Sequence, residues 1–351
     1  MTRADRLAEL VRETELDALV VTNLVNVRYL TGYTGTNGVA VVGEGVRVFL
    51  TDFRYVTQAA RQVEGFDVEQ GRQDLLEDAS KHVSGRVGFE DHALTVRAHE
   101  RLSAFVSEGT ELIAGGRLVE RLRAVKDEGE LNAIRAATAL ADEVLAAVPE
   151  RGLAGRTERE VAFEIETEMR RRGAEPSFPS IVAAGANGAL PHHTPGDDPI
   201  PPGALVVVDM GAQLDGYCSD CTRTFATGEL GDEAAAVYDL VLGTQVAALE
   251  RVRAGEACAE VDAFARERIG EAGYGERFGH GLGHGVGLEV HEGPTLSRAG
   301  EGELSPGNVV TVEPGVYLPG ELGVRIEDLV VVTGDGPEVL TSVPKELTRT
   351  S

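Results

Sequence analysis

Tryptophan is missing from the 351-residue chain and aromatic residues make up only 5% of it, so its interior has to be built mainly from aliphatic side chains. Cysteine is scarce as well. Cys218, Cys221 and Cys258 are too few for a disulfide framework, which excludes a small secreted scaffold held by cross-links. The Cys218-x-x-Cys221 spacing lies in a strand-like run, where positions three apart point to opposite faces, so it is not read as half a zinc site. Lysine is confined to Lys81, Lys126 and Lys345. No apolar run approaches the length of a bilayer, and the opening MTRADRLAELVRETEL has the pattern of a charged amphipathic helix, not of an export signal. A cytoplasmic location is therefore expected, with no membrane partner. Basic residues are outnumbered: 33 against 58 acidic ones leave a formal net charge of −25, which argues against nucleic acid and anionic surfaces as partners.

What the chain does have is an ordinary globular share of apolar residues, 42%, and enough length for two domains. Residues 1–122 alternate helical and strand patterns: a helix near Arg3–Glu13, then the runs DALVVT, GVAVVG, VRVFL, VGFE and TELIA. This reads as a small α/β domain. It shows no catalytic constellation, and His82, His92 and His99 are expected to be solvated. A second domain, 123–351, opens with a long helix capped by Asp127, with Leu131, Ile134, Ala141, Leu145 and Val148 at helical spacing. A capping box, Thr157-x-x-Glu160, starts another helix whose buried stripe is Val161, Ile165 and Met169. Strand-like runs follow, and from Asp232 the order helix, helix, strands repeats. The weak repeat implies a pseudo-symmetric α+β domain with helices on one side of a curved sheet.

Each half of that repeat carries two acids inside apolar runs, where a carboxylate is costly to bury unless it is paired or holds a metal. In VVVDMGAQLDGYCSDC the Asp215-Gly216 step signals a tight hairpin. Pairing Leu214 with Tyr217 then sets Asp220 opposite Gly211, diagonal to Asp209 on one strand face. Glu313 and Glu327 flank a loop centred on Pro319-Gly320, which places them nearly opposite one another. His284 is expected to approach from the glycine-rich loop GHGLGHGVGLEVHEG. That loop lacks the Lys-Ser/Thr ending of a phosphate-binding loop and the strand-to-helix setting of a dinucleotide fingerprint, so its glycines are expected to let backbone pass close to metal and substrate. Four acids on one face would repel and take up protons unless cations neutralised them. Oxygen donors with a single imidazole suit two divalent metal ions, Mn²⁺ first, with Co²⁺, Fe²⁺ or Zn²⁺ as alternatives. Taken alone, the pair His192-His193 reads as surface-loop histidines.

The motifs NGALPHH, VVDMGAQLDGYCSDCTRTF, GHGLGHGVGLEVHE, TVEPGVY and GVRIED resemble those of the pita-bread metallopeptidases, and within them the Xaa-Pro peptidases, aminopeptidase P and prolidase. The resemblance spans essentially the whole chain. It implies an N-terminal α/β domain and a pita-bread (creatinase/aminopeptidase-like) catalytic domain. It also implies that Asp209 chelates one metal, that His284 and Glu313 hold the other, and that Asp220 and Glu327 contact both. His192, His291 and Glu313 are then the catalytic residues, the two histidines facing substrate and Glu313 carrying a proton. Arg325 would orient the bridging acids, and His193, with no counterpart of that kind, would be replaceable. The implied substrates are short peptides with proline at the second position, cleaved by an aminopeptidase in preference to a dipeptidase, and the implied assembly is a homodimer. Methionine aminopeptidases share the catalytic domain but not the N-terminal one. Creatinase-like enzymes lack the ligands present here. A non-enzymatic binding module on the same fold would be expected to have lost them.

Overall fold

Every residue of the strand Ala18–Val21 is buried, and the rest of the first unit, Met1–Arg123, is arranged about it. This strand, β1, pairs antiparallel with β2 (Val39–Gly43), which pairs antiparallel with β3 (Val46–Thr51). Parallel neighbours β4 (Asp67–Gln70), β5 (Arg86–Phe89) and β6 (Glu111–Ala114) complete a six-stranded sheet in the order β4-β3-β2-β1-β5-β6. Parallel pairs need crossovers. These include α2 (Leu24–Thr31), α3 (Val56–Gln62), α4 (Leu76–Ala79) and α5 (Val96–Phe105), with α1 (Arg3–Glu13) before the sheet and α6 (Leu118–Ala124) after it. The first helix has the bounds its pattern predicts, and Thr2 caps it. The three histidines of this unit are not simply solvated. The Nε2 of His82 lies 3.1 Å from Glu69, that of His92 2.8 Å from Glu120, and the His99 ring packs 4.7 Å from that of Phe89. They form no common cluster. Lys81 reaches Asp78 from a side chain that is 57% exposed.

The computed structural model describes residues 1–350, and its second unit runs from Ala124 onward. The helix α7 (Glu128–Ala146) begins at Asp127 and α8 (Glu158–Arg171) at Thr157, each with a complete capping box. All the apolar positions predicted for their buried stripes are buried. The strands that follow are β7 (Glu175–Pro176), β8 (Ile181–Ala184), β9 (Leu205–Met210), β10 (Ala212–Leu214), β11 (Tyr217–Cys218) and β12 (Cys221–Ala226). After α9 (Asp232–Leu249) and α10 (Cys258–Glu271) come β13 (Gly283–Gly285), β14 (Glu292–Leu296), β15 (Val309–Val312), β16 (Gly315–Leu318), β17 (Leu322–Arg325), β18 (Asp328–Val332) and β19 (Pro337–Val339). Each half has its own apolar cluster: Val206, Val208 and Met210 pack with α7 and α8, and Val310, Val312, Val330 and Val332 with α9 and α10.

Two long hairpins dominate this unit, each broken in its ladder but not in its register. In the first, Leu214 faces Tyr217, Gln213 faces Cys218, Met210 faces Cys221 and Asp209 faces Thr222, which leaves Asp220 across from Gly211 as predicted. Asp215 and Gly216 both take positive φ, the requirement of the tight turn. In the second, Val312 faces Asp328 and Gly315 faces Arg325, so Glu313 and Glu327 fall directly opposite one another in the interval between. The hairpins meet side by side where Glu327 N donates to Thr222 O and Thr224 Oγ1 donates to Arg325 O. Cys218 and Cys221 are buried in different clusters, in keeping with opposite faces.

Behind Glu327 lies a buried ionic cluster. Arg223 Nη2 is 2.9 Å from Asp328 Oδ1, Lys345 Nζ is 2.6 Å from Asp328 Oδ2, and Thr341 and Gln245 donate to the same carboxylate. Against the upward push of burial, Arg223 and Lys345 hold the Asp328 carboxyl below its ordinary range. Arg223 also donates to the carbonyls of Thr222, Glu327 and Val343, so it fastens the C-terminal segment to the strands that carry the acids. Removing one partner of a buried ion pair strands the other charge and typically costs about 3–5 kcal/mol. Arg223→Met should therefore lower the urea midpoint of the catalytic unit's transition by a corresponding amount. A loss below about 1 kcal/mol, the scale of an exposed pair, would mean that Lys345 alone balances Asp328.

Candidate active site

The four acids and His284 line one cleft of about 590 Å³, together with His192, His280, His291 and Arg325. The convergence follows from strand geometry. In β9, Val206, Val208 and Met210 turn toward α7 and α8, so the alternate position, Asp209, turns to the cleft. Asp220, Glu313 and Glu327 occupy the breaks in the two hairpins, where a side chain can leave the ladder. One ligand atom each from Asp220, His284 and Glu327 lies within 4.8 Å of the others. His284 Nε2 stands 3.3 Å from Glu313 Oε1 and 3.6 Å from Asp220 Oδ2.

Burial, and then the charges of Glu327, Asp209 and Glu313, push the Asp220 carboxyl well above the ordinary range. Burial and the charges of Glu313 and Asp209 do the same to Glu327. Glu313 goes the other way: burial opposes ionisation, but the hydrogen bond and charge of His284 pull it down to about 2. His284, although burial disfavours its charge, is lifted to about 9 by Glu313 and then Glu327. The site thus retains protons as a substitute for positive charge. Asp209 adds a second sign of the same shortage. Its Oδ2 accepts from Arg325 Nη2 at 2.6 Å, while its buried Oδ1 has no hydrogen-bond partner among the described residues. A buried carboxylate oxygen without a donor, beside acids that hold protons, fits a cation. Asp209, Asp220, His284, Glu313 and Glu327 could supply its ligands. His284 Nδ1 lies 3.1 Å from the Gly285 carbonyl, which can only accept, so that nitrogen carries hydrogen and Nε2 is presented to the acids.

Arg325 does not touch the two acids it is predicted to orient. Its guanidinium bonds to Asp209 directly, to Thr222 Oγ1 through Nε at 3.1 Å, and through Nη1 to Tyr317 OH at 3.0 Å and the Pro191 carbonyl at 3.5 Å. Thr222 Oγ1 in turn donates to Glu327 Oε2 at 2.7 Å, so the guanidinium reaches Glu327 through one hydroxyl. The chain continues to His280, whose Nε2 is 2.8 Å from Tyr317 OH and whose Nδ1 is 2.7 Å from the Gly281 carbonyl. Burial keeps His280 below its usual pKa, so the neutral ring donates from Nδ1 and accepts from the tyrosine. Thr222, Tyr317 and His280 are absent from the predicted site. The His-x-x-x-His spacing of His280 and His284 was the available signal for one of them.

The glycine-rich stretch is strand β13 at His284; Gly281 and Gly283 line the cleft as expected, and several of its glycines are also demanded by close packing. A Cβ at Gly283 would stand 2.0 Å from Thr311 O, one at Gly285 2.2 Å from Gly293 O, and one at Gly287 2.3 Å from the Glu292 carboxylate. That carboxylate is within 2.8 Å of Lys126 Nζ in a pair whose side chains are 1% and 4% exposed. Glu292 follows His291 directly, so a buried ammonium fixes the segment that aims this ring. The His291 and His284 rings lie 4.2 Å apart, and burial, then His284, keeps His291 below its usual pKa. His192 sits on an exposed stretch of the cleft wall. His193 is not a spare surface histidine: its Nε2 is 2.7 Å from the buried carboxylate of Glu158.

Residues 132–334 match the model of metallopeptidase family M24, and residues 3–125 match the creatinase/prolidase N-terminal domain. The chain belongs to metallopeptidase family M24. Its fold is the N-terminal α/β domain followed by the pita-bread catalytic domain, and its members use divalent metals. An Xaa-Pro dipeptidase from Bacillus anthracis is 40% identical to this M24 peptidase, with a TM-score of 0.95 over 99% of this chain and 98% of that one. An X-Pro aminopeptidase from Thermotoga maritima MSB8 is 36% identical, with a TM-score of 0.89 over 99% of both. An Xaa-Pro dipeptidase of Pyrococcus horikoshii is 35% identical over 98% of both chains. No helix among the described residues of the M24 peptidase is long and apolar enough to cross a membrane.

The protons held by the acid cluster set a pH dependence. Asp220 and Glu327, with raised folded-state pKa values, and His284, raised to about 9, all bind more protons folded than unfolded. Their contribution to the cation-free protein is present at the acid end and is lost as pH rises, for His284 between its ordinary 6.5 and about 9. Glu313, depressed to about 2, contributes throughout that window and loses its effect only in strong acid. A bound cation replaces the protons. The gap in melting temperature between metal-loaded and chelated protein should therefore widen as pH rises across this window. A gap that stays constant or narrows in differential scanning calorimetry would contradict this account of the cluster.

Proposed function

We propose that the protein is a dinuclear metal-dependent Xaa-Pro peptidase that removes an N-terminal residue preceding proline. The observation that carries this is the set of four acids and His284 in one cleft, with Asp209 Oδ1 lacking a donor among the described residues. The names of the Bacillus, Thermotoga and Pyrococcus proteins support the substrate class. In this reading Asp209, Asp220, His284, Glu313 and Glu327 would hold the cations. The oxygen-rich donors favour Mn²⁺ over zinc. Bound there, divalent cations lower the pKa of a water and polarise the scissile carbonyl.

The chain's own groups do the rest. Glu313 accepts a proton from the attacking water and delivers it to the proline nitrogen as the C–O bond forms and the C–N bond breaks. His192 and His291 face the peptide and stabilise charge on the carbonyl oxygen. His291, held neutral near pH 7 by burial and by His284, serves as a donor without adding a full charge to the cleft. Phe178, Pro179 and Ile181 give the wall an apolar surface suited to a pyrrolidine ring, whose nitrogen carries no hydrogen for an ordinary peptidase to bind.

Aminopeptidase action on peptides longer than two residues is favoured by the scarcity of cationic side chains lining the cleft. Among the described residues lining it, Arg325 is the one lysine or arginine, and its guanidinium is occupied by Asp209, Thr222 and Tyr317. A dipeptide's proline carboxylate thus finds no uncommitted permanent cation on this wall. The second reading, cleavage of Xaa-Pro dipeptides, is favoured by the names of the Bacillus anthracis and Pyrococcus horikoshii proteins. Rates on Xaa-Pro and Xaa-Pro-Yaa measured side by side decide between them.

Xaa-Pro-Yaa peptides should be hydrolysed, their N-acetylated forms should not, and replacing proline by alanine should lower kcat/KM at least about tenfold, roughly 1.4 kcal/mol. Comparable rates on Xaa-Ala peptides would return the protein to the wider family with another substrate. Asp220→Asn should lower metal content and abolish turnover, and exhaustive chelation should do the same. His192→Ala should keep its metal and lose about 10²–10⁴-fold in rate. Retention of the wild-type rate would remove His192 from the mechanism.

A further inference from the structure

We infer that Glu158 and His193 form a positioning pair that holds the loop 185–196 and thereby sets His192 against the cleft, an inference that rests on the role proposed for His192. Glu158 occupies the first turn of α8, with its side chain 2% exposed. Its Oε1 accepts from Ala184 N at 2.8 Å and Asn187 Nδ2 at 3.0 Å. Its Oε2 accepts from His193 Nε2 at 2.7 Å and Gly196 N at 2.9 Å. An ionised carboxylate has about four acceptor positions, and here each is filled, by donors at the end of β8 and along the loop that follows it.

Those four bonds bracket His192, and none of them involves its own ring. Ala184 and Asn187 lie before it, and His193 and Gly196 after it. The backbone adds Leu190 N to Asn187 O at 2.9 Å, His193 N to Leu190 O at 3.1 Å, and Arg159 N to Gly196 O at 3.0 Å. Pro191 and Pro195 restrict φ on either side of the pair. His192, exposed on the cleft wall, takes its place from this frame. The doublet divides the work: one imidazole faces substrate, and its neighbour is bound to the scaffold. A carboxylate at the start of a helix suits the anchor, because the helix N-terminus favours negative charge and the bonds to it are charge-assisted.

The consequence is catalytic although neither side chain needs to touch the peptide. A displacement of about 1 Å in a reacting group can cost about 10²-fold in rate. On whichever of Xaa-Pro or Xaa-Pro-Yaa the metal-loaded wild type turns over, His193→Ala should lower kcat about ten- to a hundredfold with KM little changed and metal content intact. His193→Gln, whose amide can donate to Glu158, should recover most of the loss. The deciding measurement is a double-mutant cycle: in the His192→Ala background, His193→Ala should cost less than about twofold, because the group it positions is gone. Full multiplication of the two losses would overturn the inference and make His193 an independent contributor. A His192→Ala variant that keeps the wild-type rate would instead remove the role of His192, and the inference with it. Should His193→Ala fold poorly, hydrogen exchange on His193→Gln and Glu158→Gln gives a separate readout. Faster exchange confined to the Ala184 and Gly196 amides in Glu158→Gln supports the frame, and unchanged protection there overturns it.

Discussion

Mutual repulsion among Asp209, Asp220, Glu313 and Glu327 is the constraint on which the catalytic unit depends. Without metal it raises the pKa of the Asp220 and Glu327 carboxyls, and it is relieved by the His284–Glu313 ion pair and by the Arg325 guanidinium on Asp209. Each device is partial, and together they still leave one Asp209 oxygen without a donor among the described residues. Acids crowded in this way repel one another, and a cation bound among them would relieve that repulsion. The breaks in the two hairpins serve the same end. An uninterrupted ladder would commit the backbone at Gly211, Asp220, Glu313 and Glu327, whereas the interruptions let the acids leave the sheet while the register on either side keeps them aligned.

Much of this was legible in the residues because it is governed by local rules. The Asp215-Gly216 turn fixes a register, the register fixes parity, and parity puts Asp220 across from Gly211. The spacing of Glu313 and Glu327 about Pro319-Gly320 works in the same way. The caps at Asp127 and Thr157 are four-residue patterns and occur where they are expected. What was not legible depends on contacts between segments far apart in the chain. Nothing near Thr222 announces that its hydroxyl will join Arg325 to Glu327 more than a hundred residues away, and nothing in PHHTP announces Glu158. The glycines of β13 were assigned to substrate approach because glycine permits many things. The positions of Thr311 O and Gly293 O show that strand packing requires them as well, beside the approach to the cleft at Gly283.

Glu327 and Asp328 are adjacent in sequence and face opposite environments, one the proton-holding cleft and the other a cluster with Arg223 and Lys345. An acidic dipeptide therefore spans the wall between the chemistry and the anchoring of the C-terminal segment. Arg223 bonds to both the carbonyl of Glu327 and the carboxylate of Asp328, so the position of the ligand strand is tied to a charge balance on its far side. Acids at the front of the sheet are held from behind, and loosening the rear cluster should be felt at the front.

The way the chain uses its few lysines has a practical consequence. Lys126 is enclosed with Glu292, and Lys345 is drawn into the Asp328 cluster with its side chain 23% exposed, while Lys81 stands 57% exposed in the first unit. Amine-directed reagents that target lysine side chains, whether dyes, cross-linkers or surfaces for immobilisation, thus meet one largely exposed lysine, itself paired with Asp78. The catalytic unit offers them only groups already engaged in its interior. Attachment through Lys81 would place the handle in the first unit, outside the catalytic unit.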